Sequence, residues 1–234
     1  METPCCYPPT DSDQSHPWLM VSQGMKRHTF YSISENQYFE RCVPEFCDKQ
    51  VAPTSYEWVT LFDHSISPIH CCLFNSESRE KIQIPPIELP PESKRHLFYR
   101  CILSKPPNDP DCHVLLLPND NFRLFCRLGD DKFVRRSNTF GDDYFSIATN
   151  FNGKLYAWMR RFVGSYSLVE VDFVGQELIL KQLVNDNGQP CQISLPTKGC
   201  CFNDYLVESC GELLLVNKLS DWRLQKVKHF KISK

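Results

Sequence analysis

The residues whose side chains could act as nucleophiles, bases or metal ligands include 13 cysteines and seven histidines. Two cysteines have a histidine as their sequence neighbour, in the pairs His70-Cys71 and Cys112-His113. A thiol hydrolase requires a cysteine held beside a histidine. Both pairs fall in strand-like segments, where neighbouring side chains point to opposite faces of a sheet. The sequence therefore predicts no catalytic residues and no enzyme activity, and a cysteine-dependent hydrolase is kept as the alternative.

The cysteines and aspartates also raise the question of metal binding. No Cys-x-x-Cys pair occurs, and Cys42 with Cys47 is the nearest approach to a pair of zinc ligands, without a second half. Loop aspartates could suggest a cation site, but a twelve-residue calcium loop with its glycine and closing glutamate is missing. These residues are Asp109, Asp111, Asp130, Asp131, Asp142 and Asp143. We expect turn residues here, with no metal site and no cofactor.

The cysteine count does not indicate a disulfide framework. The number is odd, and three pairs are adjacent in sequence, namely Cys5-Cys6, Cys71-Cys72 and Cys200-Cys201. Residues 1–13 are polar and do not resemble a signal peptide. We expect the cysteines to act as small buried hydrophobes in a reducing compartment, the cytoplasm or the nucleus.

Charge and hydropathy exclude two classes of partner. The net charge is -2, with acidic and basic residues spread along the chain. Nucleic acids and anionic membranes require a concentrated basic field. Short basic pairs at Lys26-Arg27, Arg135-Arg136 and Arg160-Arg161 are typical of solvated strand ends. No segment approaches the roughly 20 apolar residues of a membrane span. We expect neither a nucleic acid nor a membrane as partner.

The elements that must position these residues are short strands. Residues 68–85 are typical of a strand, a polar turn at Asn75-Ser76 and a second, alternating strand. Asn152-Gly153 is the strongest hairpin signal, and Cys210-Gly211 lies a little more than one propeller repeat later. About a dozen or more such strands are typical of an all-β sandwich, barrel or propeller. The spacing of the two hairpins favours a β-propeller of four-stranded blades over a sandwich.

Several segments depart from this pattern. Residues 1–16 are predicted to be a disordered lead-in. Asn36 to Phe46 is the one segment that could supply a helical turn or two. Val51 to Thr54 is predicted to interrupt the strands around Pro53, and residues 84–92 are predicted to be a stiff, proline-rich connection.

Ten short motifs follow one another along the chain: Pro17-Trp18-Leu19-Met20, Tyr31-Ser32-Ile33, Val43-Pro44-Glu45, Ser55-Tyr56-Glu57-Trp58-Val59, Leu73-Phe74-Asn75-Ser76, Ile84-Pro85-Pro86, Cys101-Ile102-Leu103-Ser104, Asn152-Gly153-Lys154-Leu155-Tyr156-Ala157, Tyr205-Leu206-Val207-Glu208-Ser209 and Gly211-Glu212-Leu213-Leu214-Leu215-Val216. Taken in this order, they resemble the plant F-box-associated KIB-type β-propeller family over residues 17–234. The chain departs from the family at Glu57, where glycine is usual, and at Asn75-Ser76, where Asn-Pro is commoner.

The resemblance implies a protein-interaction propeller related to the substrate-recognition subunits of Skp-cullin-F-box ubiquitin ligases. Residues 1–16 are too few for an F-box, so direct docking to the ligase scaffold is not expected. The chain carries about four to five blades' worth of sequence and is predicted to be truncated at the C-terminus, with an incomplete ring. It would bind a protein target as a competitor of longer relatives, or it would be a fragment without function.

One partner surface can be proposed from residue types. Trp158, Arg160 and Arg161 follow the Asn152-Gly153 turn together, and tryptophan and arginine are enriched at interface centres. The competing interpretation makes Trp158 a core residue with the arginines covering its edge. Other partner-binding residues stay unknown at this level.

Overall fold

The computed structural model describes residues 18–23, 28–33, 36–41, 43–88, 98–118, 122–137, 144–160, 165–194, 200–221 and 226–233. The predicted disorder of residues 1–16 lies outside these ranges. Contacts divide the chain into two compact units, Met1–Arg95 and His96–Lys234, which are called unit 1 and unit 2 below.

Unit 1 is built from two antiparallel sheets. Its strands are β1 (Trp18–Gln23), β2 (His28–Ser32), β3 (Gln37–Arg41), β4 (Gln50–Pro53), β5 (Trp58–Asp63), β6 (Ile69–Asn75) and β7 (Lys81–Ile87), with a 3-10 helix at Pro44–Phe46 between β3 and β4. Strands β1-β2-β3 form sheet A, and β4-β5-β6-β7 form sheet B, each in chain order. A sheet whose strands follow one another in this way is an antiparallel meander.

Unit 2 continues the same pattern in three further sheets. Its strands are β8 (Phe98–Leu103), β9 (His113–Pro118), β10 (Phe122–Arg127), β11 (Val134–Ser137), β12 (Tyr144–Phe151), β13 (Lys154–Arg160), β14 (Ser165–Val174), β15 (Glu177–Gln182), β16 (Gln192–Ser194), β17 (Cys200–Ser209), β18 (Glu212–Asp221) and β19 (Lys226–Ser233). Strands β8–β11 form sheet C, β12–β15 form sheet D, and β17–β19 form sheet E. Strand β16 pairs with the start of β14, beside β15.

Turn chemistry sets the strand register. Asn152 and Gly153 have φ values of 49° and 73°, and Cys210 and Gly211 have values of 54° and 75°. Positive φ at both central residues defines the two-residue hairpin turn that suits the twist of the flanking strands. Both predicted hairpins are confirmed, joining β12 to β13 and β17 to β18.

One local prediction is confirmed in part and two are wrong. Asn36 to Phe46 supplies one 3-10 turn at Pro44–Phe46, but Gln37–Arg41 forms β3, which completes sheet A beside β2. Residues 51–53 belong to β4, in which Pro53 is tolerated because β4 is an edge strand of sheet B. Residues 84–87 extend β7 through Pro85 and Pro86, which is possible because β7 is an edge strand of sheet B.

Each unit has its own apolar packing between sheets. In unit 1, Val43, Phe46, Val51, Leu61 and Phe74 form a cluster against which Met20 and Phe30 pack, so sheets A and B meet through it. In unit 2, one cluster joins sheets C and D, containing Ile102, Leu115, Leu117, Phe125, Phe145, Leu155, Ala157, Met159, Val169 and Val171. A second cluster joins sheets D and E, containing Ile147, Trp158, Tyr166, Leu206 and Leu215.

The predicted fold class is confirmed. The described residues contain five sheets, two with four strands, one with four plus β16 and two with three, which fits the predicted four to five blades' worth of chain. Closure or incompleteness of the ring stays a prediction. In these ranges no helix has the length and apolarity that crossing a bilayer would require.

Candidate functional site

A groove of about 810 Å³ lies at one end of sheets C and D in unit 2. In a meander, the first and third connections emerge at the same end of the sheet. The groove is accordingly lined by residues from the β8–β9 loop, the β10–β11 turn, the β12–β13 turn and the β14–β15 turn. We call it the loop-end groove. Its walls are connections held by strands on both sides, an arrangement in which binding residues are commonly found.

The wall from sheet C is a braced loop. Asp109 Oδ1 accepts the Asp111 amide at 2.8 Å, and the Cys112 amide donates to the Asp109 carbonyl at 3.0 Å. Arg127 reaches back from β10 and donates through Nε to the Pro110 carbonyl at 2.6 Å. The Arg127 guanidinium also lies 3.5 Å from Asp111, whose other oxygen is 3.7 Å from Lys105 Nζ. These contacts fix a mixed row of charges along the groove.

The wall from sheet D carries a matched pair of cross-strand ion pairs. Lys154 Nζ lies 2.9 Å from Glu170, and Lys181 Nζ lies 3.3 Å from Asp172. The hydrogen bond to Glu170 raises the pKa of Lys154. Lys154, Glu170 and Asp172 line the groove, whereas Lys181 stands outside its lining. Three cationic and four acidic side chains therefore line it: Lys105, Arg127, Lys154, Asp111, Asp130, Glu170 and Asp172.

A stacked ring pair joins the two walls. The His113 ring lies 4.3 Å from the Phe173 ring with an interplanar angle of 5°, and Phe173 also contacts Phe125 at 5.7 Å. His113 Nδ1 is 2.9 Å from the Asp111 carbonyl oxygen, so this nitrogen carries the hydrogen when the bond forms. Burial lowers the pKa of His113. The imidazole is neutral near pH 7 and supplies a flat platform without a charge.

The two pairs of neighbouring cysteine and histidine residues, His70-Cys71 and Cys112-His113, do not form catalytic pairs. Cys112 is fully buried, and its thiol donates to the Lys105 carbonyl at 3.1 Å. Burial raises the pKa of Cys112 to about 11, and a protonated thiol is a poor nucleophile. Cys71 is buried while His70 is exposed, as strand alternation requires. The geometry of both pairs is that of structural cysteines.

The described cysteines follow the predicted role of small hydrophobes in part. Eight of them are thiols rather than disulfides: Cys47, Cys71, Cys72, Cys101, Cys112, Cys126, Cys191 and Cys210. Cys71, Cys101, Cys112 and Cys126 are buried, which confirms the prediction for these four. Burial also raises the pKa of Cys126.

The loop aspartates are turn residues where the structure describes them. Asp130 accepts the Arg127 amide at 2.9 Å, and Asp109 accepts the Asp111 amide as described above. Asp142 and Asp143 lie outside the described residues. In the described part of the chain, no group of three or more histidine, cysteine, aspartate or glutamate side chains could hold a metal ion.

The proposed surface around Trp158 is wrong. Trp158 is 3% exposed and packs in the cluster between sheets D and E, with its ring stacked 6.0 Å from that of Tyr166. The competing interpretation of Trp158 as a core residue is confirmed. The Arg160 side chain and residue Arg161 lie outside the described structure.

Most of the groove was not predicted from the sequence. The turn at residues 152–153 was predicted, but the charged residues that line the groove were not predicted to form a site. Strand alternation places Leu155 and Lys154 on opposite faces of β13. This pattern could have predicted that Leu155 faces the core and that Lys154 faces the solvent. No local signal links Lys105 or Arg127 of sheet C with Lys154 of sheet D, because that proximity depends on how the sheets stack.

Consecutive antiparallel meanders that stack through apolar faces define the class of β-propeller proteins. The sequence profile of the KIB1-4 beta-propeller matches residues 30–234, which is most of the chain. The chain belongs to this family. The predicted family resemblance is thereby confirmed.

Solved structures with a related arrangement are distant. The N-terminal domain of Nup159 is matched with a TM-score of 0.36 and 7% identity, over 92% of this chain and 57% of that one. The WD40 domain of SCAP from fission yeast is matched with a TM-score of 0.40 and 10% identity, over 92% of this chain and 56% of that one. The chain thus spans less than two thirds of either domain. A search of curated proteins found no match to the sequence.

Proposed function

We propose that the chain is a protein-binding propeller that recognises a segment of its partner in the loop-end groove. The observation that carries the proposal is the convergence of four connections from two stacked sheets on one groove, with seven charged side chains held at its walls. Such a surface recognises a partner by complementary charges, because ion pairs within the groove can be exchanged for ion pairs with that partner.

The family relation supports a narrower role. The chain would act as a target-recognition module related to the Skp-cullin-F-box ubiquitin ligases of plants, in the cytoplasm or nucleus. No enzymatic role is proposed, because Cys71 and Cys112, the two cysteines with a histidine neighbour in sequence, are buried.

Site-specific crosslinking in plant extract tests where the partner binds. A photo-crosslinking amino acid is placed at Gln176, in the groove, or at Asn187, in an exposed turn of the same unit outside the groove lining. We expect a discrete protein adduct from position 176 and none from position 187. Equal adduct patterns from both positions would contradict the groove as the binding surface.

A matched pair of charge reversals then tests the recognised chemistry with the purified partner. Lys154 and Lys181 have side chains 56% and 57% exposed, and each pairs with a carboxylate of β14. We expect Lys154→Glu to weaken binding by about tenfold or more, since it places an uncompensated like charge beside Glu170 within the interface. Lys181→Glu is expected to leave affinity within about twofold. Equal losses in both variants would count against the proposal.

A further inference from the structure

His28 is a buried histidine whose ring makes no hydrogen bond within the described structure. It is the first residue of β2 and is 1% exposed. Neither Nδ1 nor Nε2 has a hydrogen-bond partner there. A buried polar group without a partner destabilises the fold by about 1–3 kcal/mol, and a buried charge destabilises it more. The folded protein therefore tolerates the neutral imidazole far better than the imidazolium.

The position of His28 links its charge to the packing of sheet A. Its ring meets the Phe46 ring edge to face at 5.3 Å and 84°, and Phe46 meets Phe74 in the same way at 5.8 Å and 87°. Phe46 and Phe74 belong to the apolar cluster through which sheets A and B pack. Movement of sheet A away from Phe46 would remove one of the groups that cover the ring and would let water hydrate the imidazolium.

None of the described charged groups on the elements around His28 contributes to the shift of its pKa. Register places Gln23 of β1 and Arg41 of β3 opposite His28, and Glu40 of β3 opposite the next residue, Thr29. The 3-10 helix carries Glu45, whose carbonyl accepts Lys49 Nζ at 3.3 Å, and Asp48 follows the helix. On sheet B, Lys81 Nζ lies 5.7 Å from the Phe74 ring centre, and Asp63 hydrogen-bonds Ser65. His64, on the β5–β6 connection, pairs with Gln50.

Burial is the cause of the lowered pKa of His28, without a contribution from a described carboxylate. We propose that His28 is an acid-sensitive latch, whose neutral ring holds sheet A against Phe46 and whose protonation releases that sheet from the core of unit 1. The group has a lowered folded pKa, so its contribution is present above the ordinary value of 6.5 and is lost as the pH falls below it. The release is reversible because it follows a proton equilibrium.

Hydrogen exchange measured by mass spectrometry tests the latch on the full chain. Wild type, His28→Phe and the control His70→Phe, which alters an exposed histidine of the same unit, are compared at about pH 7.5 and about pH 5.5. At each pH the same peptide has the same intrinsic exchange rate in every variant. The ratio of the measured exchange rates of two proteins therefore reports how often sheet A opens in each. We expect peptides from β1–β3 to exchange up to about tenfold faster in wild type than in His28→Phe at the lower pH, with similar rates at the higher pH.

Two readouts make the result decisive. Peptides from β9 and β10 of unit 2 are expected to show no dependence on the variant, and His70→Phe is expected to behave as wild type. Equal exchange of β1–β3 in wild type and His28→Phe at the lower pH overturns the proposal. If His28→Phe fails to fold, an NMR titration of ring-labelled histidines in wild type decides: the His28 signal should titrate below 6.5 together with the β1–β3 amides. Titration at or above that value overturns the latch.

Discussion

At the scale of single residues, burial rather than sequence neighbourhood decides which polar groups are reactive. Cys112 has a histidine beside it in sequence, yet it is fully buried and bonded to a loop carbonyl. Cys210 has no histidine neighbour but stands exposed in a hairpin turn. Desolvation disfavours the thiolate, which is the reactive form of cysteine. The two residues should therefore differ widely in reactivity.

Thiol labelling is expected to follow that difference. In the native protein at about pH 8, iodoacetamide should alkylate Cys210 and leave Cys112 and Cys126 unmodified, because burial raises the pKa of both buried thiols. Peptide mass spectrometry with and without denaturant measures the modification. The variant Cys210→Ser should remove the native modification from the peptide that contains residue 210. Native labelling of Cys112 as fast as that of Cys210 would contradict the assignment.

The pKa of His113 predicts a pH dependence of stability in unit 2. Its folded value lies below 6.5, so the unfolded chain takes up a proton more readily as the pH falls below that value, and stability is lost. His113→Phe keeps a ring against Phe173 and removes the titration. We expect the free energy of unfolding of the variant to fall less between about pH 7.5 and about pH 5.5 than that of wild type.

Urea unfolding at each pH measures this effect. Some pH dependence of the free energy of unfolding should persist in His113→Phe, because burial also lowers the pKa of His28 and His64. The exposed histidine variant His70→Phe serves as the control and should keep the wild-type slope. An unchanged slope in His113→Phe would show that the His113 ring is solvated in the folded protein.

At the scale of elements, turns decide where the backbone is strained. The β4–β5 turn holds Tyr56 and Glu57 at φ values of 58° and 66°, in a region that residues with a side chain rarely adopt. Glu57, where the resemblance noted in the sequence leads us to expect glycine, thus lies in the left-handed region. The β12–β13 turn reaches the same geometry with asparagine and glycine.

Replacing Glu57 by glycine is expected to stabilise the protein. Glycine adopts positive φ without the steric penalty, so Glu57→Gly should raise the free energy of unfolding by about 1 kcal/mol. The control Glu77→Gly changes the same residue type in an exposed turn at a position without positive φ. It should be neutral or destabilising by about 0.5–1 kcal/mol, since glycine increases the entropy of the unfolded chain. Opposite signs for the two variants, measured by chemical denaturation, would support the strain; equal changes would argue against it.

At the scale of the whole molecule, stacked sheets carry both stability and the candidate site. Each unit packs its sheets through an apolar cluster, and in unit 2 the cluster between sheets C and D lies beneath the loop-end groove. Polar contacts across the same pair of sheets add to it. Asn150 donates to the Leu103 carbonyl at 2.7 Å, and the Arg123 guanidinium lies 4.3 Å from the Phe145 ring centre. The two walls of the groove therefore depend on this packing.

Truncating the centre of that cluster should destabilise unit 2. Leu115 is fully buried, so Leu115→Ala leaves a cavity and should lower the free energy of unfolding by about 2–5 kcal/mol. Ile179 is 37% exposed on β15, and Ile179→Ala should change it by about 0.5 kcal/mol. Chemical denaturation of both variants measures the contrast. A loss below about 1 kcal/mol for Leu115→Ala would mean that the cluster does not hold the sheets together.

The sequence by itself determined the strands and the turns. Alternation of apolar side chains and the asparagine-glycine and cysteine-glycine turns are local properties, and they predicted an all-β chain of meanders and the hairpins of sheets B, D and E. The sequence did not predict β3, β4 or the end of β7. There a neighbouring strand supplies the hydrogen bonds, which the local residues do not indicate.

The tertiary structure alone decided which residues meet. Trp158 is a core residue because sheet E covers it, and Lys105, Arg127 and Lys154 share a groove because sheets C and D stack. His28 packs against Phe46 of the 3-10 helix, and its ring has no hydrogen-bond partner in the described part of the chain. Contacts between sheets join residues far apart in the chain, and no periodicity within a strand specifies them.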